Sequence, residues 1–177
     1  VLEATLVGPR LEVRGAADIA VTGAATGLTV NDRPAPGWAA LRVGPGDVVD
    51  LGAPENGCRT YRAVGGGIDV PPVMGSRSTY LGARLGGLEG RALKEGDLIR
   101  HGPAEPLARL RHLPWYPLYG GTARLRAVPG PQDDFFRTSL ATFFRSPYTV
   151  TAQANRMGYR LEGPALAREA GAPASIV

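Results

Sequence analysis

The sequence predicts a mainly β protein with one clear helix. Three observations carry that prediction. Apolar and polar residues alternate with a period of two through most of the apolar segments. Glycine and proline, 25 and 16 of 177 residues, break these segments too often for long helices. A single segment, near 132–144, places apolar residues at helical spacing.

Taken in order, residues 1–52 read as strands and tight turns. Leu11 and Val13 alternate with Glu12 and Arg14, and Ile19 and Val21 with Ala20 and Thr22; Leu28 and Val30 flank Thr29. Gly8-Pro9, Gly15, Gly23, Asn31-Asp32 and Pro34 to Gly37 are the turns between them. Two later stretches share one pattern: an apolar residue, a Gly-Asp turn, then a strand. They are Leu41 to Leu51, around Gly46-Asp47, and Leu93 to Ile99, around Gly96-Asp97. They read as equivalent hairpin corners, and ordinary turn chemistry accounts for both. Thr60 to Val64 is a further strand, ending in Gly65-Gly66-Gly67. Residues 102–121 are rich in proline and glycine and form the connection. Their aromatic residues, Trp115, Tyr116 and Tyr119, are expected to pack on a neighbouring surface. Thr122 to Val128 alternates again as a strand. The helix comes next, capped by Asp133 or Asp134, stopped by Pro147, and turning Phe136, Leu140, Phe143 and Phe144 toward the core. Tyr148 to Ala152 and Tyr159 to Leu161 return to strand. Closure into a barrel removes exposed strand edges in such a protein.

Composition excludes several classes. The single cysteine, Cys58, rules out an internal disulfide framework and suits a reducing, cytoplasmic setting. No apolar run reaches membrane-spanning length. The net charge of +4 rests on scattered arginines, with Lys94 the one lysine, which reads as a solvated surface with no nucleic-acid partner. His101 and His112 stand alone, so no metal site is expected. There is no phosphate-binding loop of the G-x-x-x-x-G-K type and no G-x-S-x-G nucleophile elbow.

What remains is two polar words in glycine-rich surroundings. Ser76-Arg77-Ser78-Thr79 sets hydroxyls around one guanidinium. Asn155-Arg156-Met157-Gly158-Tyr159-Arg160 adds two guanidiniums, an amide and a phenol. Such a set suits binding of a small anion, because arginine forks take carboxylates bidentately. The alternative reading is that these arginines lock their loops through carbonyls and Asp69 or Glu89. Arg77, Ser76, Ser78, Thr79, Arg156 and Tyr159 are therefore the candidate substrate-binding residues, and no catalytic residue is assigned.

Residues 63–97, with Val128-Pro129-Gly130-Pro131-Gln132 and Asn155 to Gly163, resemble the KipA family. It is also called allophanate hydrolase subunit 2 or the biotin-dependent carboxyltransferase family. The matching words keep the family's order across about two thirds of the chain. The resemblance implies two tandem cyclophilin-like β-barrel lobes: 1–101, a connection at 102–121, and 122–177. It implies chains longer at both ends, which fits a start at Val1 and an apolar end at Ser175-Ile176-Val177. It also implies a subunit of an ATP-dependent 5-oxoprolinase, acting with KipI-like and LamB/YcsF-like subunits, with ATP used by the complex. Two alternatives come with it: a carboxyltransferase domain related to urea carboxylase, and a regulator that antagonises a KipI-like inhibitor of a histidine kinase. The amidase signature is missing, and Lys94 lacks the methionine neighbours of a biotinylated lysine. The family often carries Ser-Asp before its Arg-Met-Gly-Tyr-Arg word. Ala154-Asn155 stands there in this chain, which removes a carboxylate.

Overall fold

A computed structural model of the chain describes residues 1–117, 119–155 and 157–171. The chain forms two compact units, Val1–Ala123 and Arg124–Val177.

The first unit is built from eight strands: β1 (Leu2–Thr5), β2 (Arg10–Glu12), β3 (Ala17–Gly23), β4 (Thr29–Val30), β5 (Arg33–Pro34), β6 (Ala40–Val43), β7 (Val48–Asp50) and β8 (Arg59–Val64). They pair into two four-stranded sheets, β1-β8-β3-β6 and β2-β7-β4-β5, with every pairing antiparallel. Period-two alternation decides which side chains go inside. Along β3, Ile19 and Val21 are buried while their neighbours are half-exposed. Val43 of β6, Val49 of β7, and Val13, Leu28 and Leu51 between strands join them in one core shared by both sheets. Removing such apolar surface from water stabilises the unit by roughly 25 cal/mol per Å². Asn31 and Asp32 turn β4 into β5 with φ of 54° and 59°. Both residue types tolerate the left-handed region that this hairpin turn demands.

The connecting segment lies on the open edge of β6. Ala40 N–H donates to Arg111 C=O at 2.7 Å, and Leu113 N–H to Trp38 C=O at 2.9 Å. Arg42 donates to both Asp18 oxygens and to Leu107 C=O, while Leu107 N–H donates to Asp18. The Arg42 guanidinium, and then the Leu107 N–H, hold the Asp18 carboxyl below its ordinary range. Tyr116 stacks on Trp38 with ring centroids 5.8 Å apart, whereas Trp115 is exposed. His101 and His112 are both exposed, each in an isolated bridge.

Several expectations change here, among them the strand read after Gly96-Asp97, where residues 98–100 form none. Residues 122–128 form no strand, and Leu125 and Val128 are almost fully exposed. Alternation supplies a face, but a strand also needs a partner to satisfy its backbone, and none of the described residues pairs with this segment. The predicted helix forms as two short pieces, a 3-10 turn at Asp133–Phe136 and α1 at Leu140–Arg145. Asp133 and Asp134 lie inside the turn and cap nothing. Ser139, at the start of α1, gives its hydroxyl to Ala167 C=O at 2.7 Å instead of capping the helix. That break limits the apolar face: Phe136, Leu140 and Phe143 are half-buried and Phe144 is exposed. Phe143 packs against Phe144 and Tyr148. In the same unit, Thr138 N–H donates to Glu169 Oε1, and Glu169 N–H to Phe135 C=O, both at 2.8 Å. Strands β9 (Thr149–Val150) and β10 (Leu161–Glu162) pair antiparallel.

Candidate functional site

The glycine-rich stretch after β8 is an excursion that leaves and returns at one base. Asp69 N–H donates to Arg100 C=O at 2.9 Å, and Gly102 N–H to Gly67 C=O at 3.0 Å, with Ile68 and His101 bridged between them. Residues 70–99 therefore project from the end of β8 as one closed loop. Sequence makes this possible: Pro71-Pro72 forbids a helix at the outset, and the glycines beyond it permit tight returns.

Its first feature is a hairpin turn at Val73-Met74-Gly75-Ser76. Val73 and Ser76 exchange both backbone hydrogen bonds, at 2.8 and 3.0 Å, and φ is 47° at Met74 and 77° at Gly75. The turn lifts Met74 almost fully into solvent. Ser76 Oγ accepts the Ser78 N–H at 3.1 Å, which fixes the loop yet leaves the Ser76 O–H able to donate. Arg77 donates from Nε to Val70 C=O at 2.9 Å, and Val70 is buried. Arg77 thus does what a loop lock does, through a carbonyl. Its two terminal nitrogens have no partner among the described residues, so half of the fork remains available. Thr79 is half-buried, and its hydroxyl lies directly against Gly87; a side chain at 87 would occupy that place.

The expected partner Glu89 is engaged elsewhere. Arg91 donates from Nε to Glu89 at 2.9 Å, and from both terminal nitrogens to Asp97, at 2.7 and 2.9 Å. The Arg91 hydrogen bonds, with the Lys94 N–H, hold the Asp97 carboxyl far below the ordinary carboxylate range. The Asp97 bond in turn raises the Arg91 guanidinium further. This bidentate pair ties together residues 91–97 on the returning limb of the excursion. Sequence reasoning missed it because the residues stand six apart in a loop, where no periodicity announces a pair.

The second polar word stands on a similar turn in the second unit. Asn155 N–H donates to Gly158 C=O at 2.9 Å, and Asn155 Oδ1 accepts the Met157 N–H at 2.8 Å. Tyr159 is exposed. Arg160 is spent on Gln153 Oε1 at 2.7 Å. Arg156 lies outside the described residues. The candidate residues are therefore split: Ser76, Arg77, Ser78 and Thr79 belong to the first unit, Tyr159 to the second. Each set is hydroxyl and guanidinium chemistry suited to holding an anion. Among the described residues no group of His, Cys, Asp or Glu is placed to hold a metal ion, and no helix is long and apolar enough to cross a membrane.

Comparison with known proteins adds a family to this geometry. The chain is 43% identical over 169 residues to the 5-oxoprolinase C subunit of Escherichia coli, covering 94% of this chain and 54% of that protein. It is 34% identical over 184 residues to the urea amidolyase of Lachancea kluyveri, covering 92% of this chain and 10% of that one. The solved K. lactis urea amidolyase aligns with a TM-score of 0.72 at 31% identity, over 94% of this chain and 11% of that structure. The chain thus spans about half the length of the E. coli oxoprolinase protein and a small part of the amidolyases. The profile of the carboxyltransferase domain, subdomain A and B, matches residues 1–176, and the chain belongs to that family.

Proposed function

We propose that this chain is part of the C subunit of an ATP-dependent 5-oxoprolinase, which opens the lactam of 5-oxoproline to give glutamate. The observation that carries the reading is the 43% identity to the E. coli protein over 94% of the chain. In this reading the chain works in the cytoplasm with KipI-like and LamB/YcsF-like subunits, and ATP is consumed by the complex. Its two units belong to cyclophilin-like lobes, the first at 1–101 and the second beginning at 122, joined by 102–121. Ring opening adds water across the C–N bond of a stable lactam, and ATP hydrolysis supplies the driving force. The substrate carries a carboxylate throughout. The free half of the Arg77 fork, with Ser76, Ser78 and Thr79, binds that carboxylate.

The test is turnover of 5-oxoproline by the assembled complex. Arg77→Ala should lower turnover at limiting substrate roughly tenfold or more, the effect of losing a charge-assisted hydrogen bond. Arg77→Lys should restore little, because an ammonium has no planar fork. Arg124→Ala and Arg126→Ala, at exposed positions in the second unit, should leave turnover unchanged. Full activity in Arg77→Ala with normal melting would overturn the site. Separate elution of the full-length protein from its co-expressed partners would count against the complex. A second reading is a carboxyltransferase domain acting on urea, favoured by the likeness to the K. lactis urea amidolyase structure. Biotin- and ATP-dependent carboxylation of urea, with no turnover of 5-oxoproline, would decide for it.

A further inference from the structure

Arg62 is a cation on the wrong face of its sheet. It stands in β8, directly opposite Val21 of β3 and Leu2 of β1. Residues directly opposite in antiparallel strands share a face. Val21 is in the buried core, so Arg62 points with it toward the interior. The register leaves no counter-charge there. The acidic residues of the eight strands are Glu3, Glu12, Asp18 and Asp50. Glu3 faces outward opposite Tyr61, and Asp18 outward opposite Arg42. Glu12 and Asp50 flank the inward Leu11 and Val49 and so face outward as well. Arg59, three residues earlier on the outer face, has its acid in Glu3 at 3.8 Å. Arg62 has no ion pair among the described residues, and its Nε is buried without a hydrogen-bond partner. Burial lowers the affinity of this guanidinium for its proton. Arg62 as a whole is half-buried, so part of the side chain still reaches solvent. A half-buried guanidinium with apolar neighbours and no counter-charge attracts an anion more strongly than an exposed arginine does.

We propose that Arg62 is an anion-binding residue, taking a small carboxylate-class oxyanion end-on through Nη1 and Nη2 at the inner face of β8. A planar anion of the size of acetate or bicarbonate matches the two parallel donors that the terminal nitrogens present. Leu2 and Val21, on either side, select against a larger hydrated anion. Arg62 belongs to β8 itself and not to the hydroxyl-rich excursion that carries Arg77.

The test follows thermal unfolding and the ¹⁵N signals of the arginine Nε–H groups of the purified protein. Sodium acetate is titrated against sodium chloride at equal ionic strength, with bicarbonate as a second probe. Acetate at saturating concentration should raise the wild-type Tm roughly 3 °C above chloride. It should also shift the Nε–H signal that disappears in Arg62→Met. Arg62→Met should lose the acetate-specific rise and melt in chloride no lower than wild type, because methionine fills the stem's volume without a charge. Arg62→Lys, with a point charge and no fork, should keep a smaller rise. Arg77→Ala should keep the full rise, which separates this site from the proposed substrate site. Identical acetate and chloride curves in wild type would overturn the proposal. So would an acetate rise that survives Arg62→Met. Should Arg62→Met fail to fold, the wild-type Nε–H titration and Arg62→Lys decide alone: an Arg62 signal indifferent to acetate rejects the site.

Discussion

The corners at Gly44–Asp47 and Lys94–Asp97 are the same turn twice. In each, the aspartate carboxylate accepts the N–H of the residue three before it, at 2.7 Å from Gly44 and 2.8 Å from Lys94. In each, the aspartate N–H returns a bond to that residue's carbonyl, at 3.1 and 3.2 Å. The glycine before the aspartate has φ of 88° in one and 85° in the other. Beyond the aspartate the two diverge. The first corner launches β7, whose Val49 is completely buried. The second launches no strand, and Leu98 remains about half exposed. The supports differ too. Asp47 is held from the side by a neutral amide, Asn31 Nδ2 at 2.7 Å. Asp97 is held by the Arg91 guanidinium. A turn is local chemistry that four residues complete, whereas a strand needs a neighbour and a core. The anchor of the first corner is burial, and that of the second is charge.

Substitutions after the two aspartates should show the largest contrast. Val49→Ala removes two buried methyl groups at a site that cannot collapse freely, and should cost about 2–3 kcal/mol of global stability by urea unfolding. Ile99→Ala, at the equivalent position and half-buried, should cost about 1 kcal/mol or less. Equal costs would mean that the second corner shares the core after all.

The glycines come next. A Cβ at Gly46 or Gly96 would meet nothing within 4 Å, so alanine at either tests backbone strain alone. A non-glycine residue in this region costs about 1–2 kcal/mol. Gly46→Ala should register in full as global stability, because β7 cannot leave its sheet without unfolding the core. Gly96→Ala should register as faster amide exchange in the excursion, with a smaller global change, because that loop can open alone. A purely global effect of Gly96→Ala would break the distinction.

The carboxylates separate the corners by chemistry. Asp47→Asn keeps an oxygen for Gly44 N–H, and its amide faces another amide that can turn to suit it. Asp97→Asn points an amide donor at the two donors of Arg91. Proteolytic cleavage within 89–100 should become several-fold faster in Asp97→Asn and change little at 44–47 in Asp47→Asn.

How far the sequence disclosed all this depends on whether the deciding contact is local. The two Gly-Asp corners and the Asn31-Asp32 turn were legible, because turn chemistry is complete within four residues. The faces of β3 were legible because Ile19 and Val21 alternate with polar neighbours. Residues 122–128 alternate equally well and form no strand, since alternation cannot name a partner. Thr60, Arg62 and Val64 share the face of β8 that alternation would assign them. That this face is the inner one, and so that Arg62 is desolvated, came only from the register against Val21. Of the candidate site, the residue types and the exposed turns were legible. That Arg77 locks its loop through a carbonyl was one of the two sequence readings; that the carbonyl is that of Val70, and the Arg91–Asp97 pair, were not legible, because loop partners obey no period.

Acid and salt together test the smallest difference. Both carboxyls titrate below their ordinary range: Asp47 through the Gly44 N–H and then Asn31, Asp97 through Arg91 and then the Lys94 N–H. A carboxyl depressed in the folded state contributes stability in full above its unfolded value, about 3.9. That contribution is lost as pH falls through the lower folded value. Stability should therefore be flat from pH 7 to about 5 as far as these groups are concerned, and should decline below about 4. The two contributions respond to salt in opposite measure. Asp97 faces a full positive charge at a partly open surface, so raising sodium chloride from 0.05 to about 1 M should weaken its share at pH 6. Asp47 is held by neutral donors, and its share should persist. The comparison is Asp97→Asn and Asp47→Asn against wild type, by urea unfolding at pH 3 and pH 6 in both salts. The Asp97→Asn penalty should shrink with salt at pH 6 and fall only in part by pH 3, because the folded-state carboxyl is still ionised there. The Asp47→Asn penalty should shrink with acid and ignore salt. If both penalties fell together with salt, charge would not be what distinguishes the second corner from the first.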